Sequence, residues 1–273
     1  MKQFDYEGHQ PSFLPENKEW KLVWNDEFDG TELDRTKWTF RLNFWGQRFP
    51  AFTDEGVELD GNSHLKLHVV KKGDQYCSPH LQTASLTYDI PKNDRGFWPM
   101  GPYVKPLFLH KFGYYEIRCR LNRQPGWWNA FWLQSPSIGA HPDASQCGVE
   151  CDIMETQDYP TEKLIRCGNI WDGYGTDAKG SGHAKFVLED TPDDWHYFGV
   201  DWSPEGYVFY ADGKEVNRVM DGPVSNVEQF ILVSTECMGY RSNPPVADEA
   251  LHKMTFPEYF EVDHVRVFDQ VGE

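Results

Sequence analysis

Val149-Glu150-Cys151-Asp152-Ile153-Met154-Glu155 is the stretch around which the rest of the chain can be read. From Val149 to Ile153 apolar and acidic residues alternate, and successive side chains of a strand point to opposite faces. Glu150 and Asp152 therefore share one face, while Val149, Cys151 and Ile153 share the other, which suits an apolar core. Glu155 falls on the wrong face, because its offset from Glu150 is odd. One extra residue near Ile153-Met154, a β-bulge, would return it to the carboxylate side. Acidic residues are depleted in strands, so three of them packed this closely ask for a reason beyond solvation.

Chemistry supplies one. Retaining glycoside hydrolysis needs two carboxyl groups roughly 5 Å apart: one attacks the sugar carbon, the other protonates the leaving oxygen and later deprotonates water. Two glutamates leaning together from one bulged strand meet that need. A third carboxylate between them adds like charge, which raises a neighbour's pKa and keeps an acid protonated near neutral pH.

The totals are compatible with such a site. The chain has 273 residues, 15% of them aromatic, including 11 Trp, 13 Tyr and 18 Phe. That richness suits β structure with aromatic binding surfaces. A net charge of -17 argues against nucleic acid or an anionic membrane as partner and disfavours a strongly anionic polysaccharide. No apolar run is long enough to span a membrane. Met1-Lys2-Gln3-Phe4-Asp5 has no apolar signal core, so either the protein stays inside or, for a secreted or periplasmic location, a signal peptide has been removed. The six cysteines, Cys77, Cys119, Cys147, Cys151, Cys167 and Cys237, form no CxxC pair and have no His at zinc spacing. They read as buried free thiols, with a Cys147–Cys167 disulfide left open.

Along the chain, residues 1–17 read as a polar N-terminal tail laid over the domain, and 18–273 as one domain without linker or repeat. Trp20–Trp24 alternates like a strand, and Asp34–Trp38 reads as one helical turn. Arg41 to Pro50 is an irregular aromatic loop containing Asn43, Trp45 and Gln47, the kind of loop that carries binding on a rigid scaffold. Val57–Val70 reads as two strands around an Asp-Gly turn, with His64 and His68 on its polar face. Further strands are expected near Leu81–Thr87, as a pair over Phe108–Leu121 broken at Lys111-Phe112-Gly113, and at Trp195–Trp202, Gly206–Ala211, Glu215–Met220, Phe230–Glu236 and Tyr259–Phe268. Short strands at this spacing, with almost no helical periodicity, indicate an all-β sandwich.

The chain resembles glycoside hydrolase family 16, the laminarinase and agarase type. The acidic strand matches that family's bulged E-x-D-x-x-E signature. "WKLVWNDEFDGTELDRTKW" (Trp20–Trp38), "FGYYEIRCRL" (Phe112–Leu121), "WHYFGVDWSPEGYVFYADGKEV" (Trp195–Val216) and "FEVDHVRVF" (Phe260–Phe268) match other segments in the same order. The resemblance implies a jelly-roll sandwich of two curved antiparallel sheets, of the concanavalin A-like lectin and glucanase type, with a sugar chain across the concave face. It implies that Glu150 is the nucleophile, Glu155 the general acid/base and Asp152 the partner that controls the nucleophile's charge. Trp128 and Trp132 match the neighbouring strand's pair, which would stack on pyranose rings, while Trp127, of opposite parity, belongs to core or rim. Trp171 and His183 fall where the family lines its acceptor side. The family's usual histidine shortly before that Trp is missing here, and His183 either takes its place or lies on the surface. Arg41, Asn43 and Trp45 are candidates for the donor subsites. Asp263 matches the aspartate with which some members hold a structural, non-catalytic calcium, although such a site needs six to eight oxygens. The resemblance implies no required cofactor, and a monomer is the simplest expectation for one domain.

The expected activity is thus that of an endo-acting retaining β-glycosidase on a polysaccharide, first of all a β-1,3-glucan of the laminarin kind. The alternatives are a β-galactanase on agar, porphyran or carrageenan, with Arg41, Arg48, Arg95, Arg123 and Arg166 as candidate sulfate ligands, a transglycosylase, and a lectin of the same fold. A lectin needs the aromatic platform and not the acid pair, so the presence of both glutamates favours the enzyme.

Overall fold

Residues 1–44, 47–85, 104–157, 159–172, 174 and 178–272 are described by the computed structural model of the chain. Among them, two large sheets face each other across an apolar core. The first, the cleft sheet, has nine strands. Its main path runs Val70–Lys72, Gln75–Gln82, Phe230–Cys237, Trp127–Gln134, Glu150–Glu155, Leu164–Trp171 and Lys179–Val187. Thr39–Phe40 and Phe52–Thr53 join it at Gln75–Gln82, the latter in parallel. The second, the back sheet, has eight strands. It runs Lys214–Val219, Gly206–Ala211, His196–Ser203, Gly113–Arg120, Tyr259–Gln270, Leu65–His68 and Val57–Leu59, with Trp20–Asp26 also pairing to Tyr259–Gln270.

Alternation decides what each strand contributes. In Trp127–Gln134 the odd positions Trp127, Phe131 and Leu133 enter the core, and Trp128, Ala130 and Trp132 form a separate apolar cluster on the opposite face with Phe230 and Leu232. From the back sheet, Tyr115, Ile117, Phe198, Val200, Trp202, Val265 and Val267 close the core. The indole of Trp202 stacks on Tyr207 at 6.0 Å between ring centres.

Tyr114 and Glu116 of Gly113–Arg120 point away from the core and are nevertheless buried, because the N-terminal segment packs over them. Lys2–Phe4 and Ser12–Leu14 pair as a hairpin, so the expected tail has structure of its own. Leu14 packs with Tyr114 and Phe268. The Phe13 N–H donates to Glu116 at 3.0 Å.

The expected hairpin of Val57–Leu59 with Leu65–His68 is present. Asp34 closes its single turn through Trp38 N–H at 3.0 Å. The pair expected over Phe108–Leu121 is one strand only, Gly113–Arg120, preceded by an isolated bridge from His110 to Gln229. Phe112 and Gly113 both have positive φ (63° and 102°), and that turn ends any extension upstream. The strand expected near Leu81–Thr87 starts earlier, at Gln75, and ends at Gln82; residues 86 and 87 lie outside the described residues. All six cysteines are free and buried, which closes the Cys147–Cys167 question in favour of thiols. No helix is long and apolar enough to cross a membrane.

Candidate active site

The acidic strand opens at Gly148, whose φ of 92° belongs to glycine; a side chain there would strike Ser135. From this fixed entry the strand pairs with Trp127–Gln134 on one side and Leu164–Trp171 on the other. The bulge is where the pattern demands it. Phe131 faces Met154 and the next residue, Trp132, faces Asp152, so Ile153 is the extra residue. Ile153 and Met154 both enter the core, and Glu155 returns to the face of Glu150 and Asp152.

Register then lays the cleft face out in rows across the strands. One row reads His80, Ser234, Ala130, Glu155, Arg166, and the next reads Gln82, Leu232, Trp132, Asp152, Gly168. Above them is a cavity of about 300 Å3. Glu150, Glu155, Trp128, Trp132 and Arg41 line it, as the sequence predicts, together with Phe44, His80, Tyr174, Ser234, Glu236 and Arg241.

Within the cavity Glu150 accepts hydrogen bonds from Gln134 Nε2 at 2.8 Å and from the Tyr174 hydroxyl. Burial raises the Glu150 pKa above its ordinary value, and the Tyr174 bond and the charges of Arg41, Arg241 and His183 pull it back. Glu155 is held well above the carboxylate range, first by burial and then by Asp152 and Glu150. Asp152 is also well raised, by burial and by Glu150. Three neighbouring carboxyls thus carry fewer than three charges near neutral pH. The arrangement offers one carboxylate steadied by two donors and one carboxyl that keeps its proton. His183 is exposed, and its Nε2 lies 3.4 Å from Asp152 Oδ2, so it is at once on the surface and beside the acids. Asp152, Glu155 and His183 also bring one ligand atom each within 4.8 Å of one another, the group among the described residues best suited to a metal ion.

The two expected platform tryptophans differ. Trp132 is buried, with its Nε1 donating to Ser234 Oγ at 3.0 Å. Trp128 is half-buried and carries the Arg241 guanidinium 5.4 Å from its ring centre. Arg241 is held by a two-point contact with Glu236. Trp127 is fully buried core, as parity requires.

Other expectations need correction. Trp171 packs against the core and does not line the cavity, because Ile170, not Trp171, pairs with Glu150. Asn43 is exposed in a small hairpin with Arg48 and is not part of the cavity lining. Trp45 and Arg95 lie outside the described residues. Arg48 donates to the carbonyls of Leu42 and Phe49, and Arg123 pairs with Asp194, so neither serves the cleft. Arg166 sits opposite Glu155, whose charge it favours. Asp263 does not fit a calcium site: Arg118 binds its carboxylate at 2.5 Å, placing a cation where the metal would sit.

Gln134, Tyr174, His80, Ser234, Glu236 and Arg241 were not among the candidates read from sequence. Gln134 continues the even parity of Trp128 and Trp132 and was within reach of that signal. Tyr174 sits in the stretch around Trp171. The remaining four lie on strands or turns whose register only the fold supplies.

The comparisons with known proteins agree with this geometry. The model for glycosyl hydrolases family 16 matches residues 51–235. β-Porphyranase B of Zobellia galactanivorans is 25% identical over 84% of this chain and 78% of its own length. A glucan endo-1,3-β-glucosidase of Cryptopygus antarcticus is 28% identical over 71% and 67%. Among solved structures, the endo-β-1,3-glucanase of Pyrococcus furiosus superposes with a TM-score of 0.69 at 23% identity, covering 94% of this chain and 97% of that one. At that identity the likeness establishes the sandwich fold.

Proposed function

This chain belongs to glycosyl hydrolase family 16, and we propose that it cuts internal bonds of a neutral β-1,3-glucan by double displacement. The observation that carries the reading is the bulge at Ile153, which sets Glu150, Asp152 and Glu155 on one face beneath an aromatic cleft. In the first step a Glu150 oxygen bonds to the anomeric carbon while the bond to the leaving oxygen breaks, and Glu155 gives that oxygen its proton. In the second, water attacks the same carbon, passes a proton to Glu155 and frees Glu150. Gln134 and Tyr174 hold the Glu150 carboxylate for attack. Asp152, itself raised by burial and by Glu150, adds to the rise of Glu155.

Charge balance favours a neutral polymer. Arg41 and Arg241 are the arginines of the cavity lining, and Glu150 and Glu236 oppose them. A second reading, a sulfated β-galactan, has support in those same arginines beside the tryptophan rings and in the porphyranase relative. A polymeric substrate suits action outside the cell, by a secreted or periplasmic protein. A reducing-end assay over laminarin, mixed-linkage glucan, agarose, porphyran and carrageenan, with Glu150→Ala as control, tests the proposal. Cleavage of laminarin that vanishes in the control is expected. Cleavage confined to porphyran or carrageenan would replace the glucan by the galactan, and binding without cleavage would replace the enzyme by a lectin.

A further inference from the structure

The Gln75–Gln82 strand carries polar residues where the cleft mechanism has no use for them. His80 is 1% exposed and Gln82 4%. Their neighbour Leu81 enters the core, so both point to the opposite, cleft-side face. Among the described residues, neither ring nitrogen of His80 has a hydrogen-bond partner of normal geometry, the Thr235 backbone being only a weak one, and Gln82 Oε1 has none. A buried polar atom without a partner is costly, and a water, an ion or a ligand can complete it.

The location is specific. His80 lines the same cavity as the catalytic glutamates, its ring nitrogens buried in the wall. In its row it stands three strands from Glu155, with Ser234 and Ala130 between, which is about 14 Å at strand spacing. That is too far to touch the bond being broken. Phe52 packs against the ring at 4.0 Å between centres and fixes it. The Arg41 N–H donates to the His80 carbonyl at 2.9 Å, tying the loop to the strand at this point. Burial, with Arg41 and Arg241 nearby, holds the imidazole well below its usual pKa. The ring is therefore neutral near pH 7 and presents one donor and one acceptor, the pattern that a hydroxyl group matches.

We infer that His80, with Gln82 beside it, is a specificity-determining residue that reads a sugar hydroxyl in the arm of the cleft remote from the cleaved bond. This rests on the proposed glycanase reading and deepens it: the arm recognises a neutral sugar unit by hydrogen bonds, and the chain must be long enough to reach it. A site built around a buried polar partner discriminates against ligands that leave it unmet.

The test uses laminari-oligosaccharides of three to six units and the variants His80→Ala and His80→Gln, with thermal unfolding as a check on folding. In wild type, kcat/KM should rise with chain length. His80→Ala should flatten that rise by about tenfold for the hexamer, through KM and not kcat, and His80→Gln, which keeps a donor and an acceptor, should restore part of it. An unchanged ratio of hexamer to trimer in His80→Ala would overturn the inference, as would an equal loss on both lengths or a loss in kcat alone. If wild type cleaves none of these oligosaccharides, the glucan reading fails and this inference fails with it, a result separate from a cleaving wild type that is indifferent to His80.

Discussion

On the back sheet, Arg266 meets Glu27 through hydrogen bonds of 2.9 and 2.7 Å, Arg118 meets Asp263 at 2.5 Å, and Lys18 meets Asp201 at 2.7 Å. Buried charge there is paired charge. On the cleft sheet, Glu150, Asp152 and Glu155 come from one six-residue strand; burial raises all three, Glu150 adds to the rise of Asp152, and both add to that of Glu155. The same residue types therefore do different work. Pairing fixes the sheet and its N-terminal cover, whereas burial, with like charge beside it, holds a proton where a leaving group can use it. The exception on the back sheet sharpens the contrast. Glu116 is fully buried and its pKa is pushed up to about 7, mainly by burial, although Ser12, Phe13 and Arg266 favour its charge. It accepts the Phe13 N–H and so ties the N-terminal cover to the sheet.

The comparison breaks most visibly if a cleft carboxylate proves dispensable. Glu150→Ala and Glu155→Ala should each lower kcat by about four orders of magnitude, the scale seen when a reacting group is removed from a catalytic set, with the unfolding temperature little changed. For Glu155→Ala a substrate with a good leaving group should recover the first step, because that step then needs less protonation; Glu150→Ala should not recover. Equal rescue of both would erase the distinction between nucleophile and acid.

Tyr174→Phe probes the balance on Glu150. The hydroxyl favours the charged form, so its loss raises the Glu150 pKa, and the acidic limb of the kcat/KM profile should move to higher pH. Activity should fall more at pH 5 than at pH 7. A uniform fall across pH would make Tyr174 a packing residue. Trp132→Ala should weaken oligosaccharide binding by more than about 1 kcal/mol, from the lost aromatic contact; unchanged affinity in calorimetry would assign Trp132 to the fold alone.

The smallest effect belongs to Glu116. Its folded pKa of about 7 lies above the ordinary 4.5, so the folded state binds the proton more tightly than the unfolded chain. That stabilisation is complete below pH 4.5 and is lost as pH rises through 7. Glu116→Gln cannot ionise and should unfold at a higher temperature than wild type at pH 8, with the gap closing towards pH 4.5. A gap that widens on acidification would reverse the sign and the explanation.

Much of this was legible before any coordinates. The odd offset of Glu155 from Glu150 called for a bulge, and parity separated Trp127 from Trp128 and Trp132. Both are local properties of a strand, and a strand's period of two survives in the sequence. What local pattern could not give was register between distant strands. His80 reaches the cleft because it pairs with Ser234, and Glu236 because it pairs with Trp128, separations that no short window contains. Trp171 was misread for the same reason, since its face depends on which residue opposes Glu150. Asp263 looked free for a metal because Arg118, which binds it, stands 145 residues away.

If Glu150 forms a covalent bond to the sugar, the product keeps its configuration. Proton NMR of laminarin during the first minutes of cleavage reads this directly. The account predicts that the newly formed reducing ends appear as the β-anomer and only later drift to the equilibrium mixture. Initial appearance of the α-anomer would mean a single displacement by water and would contradict the role given to Glu150.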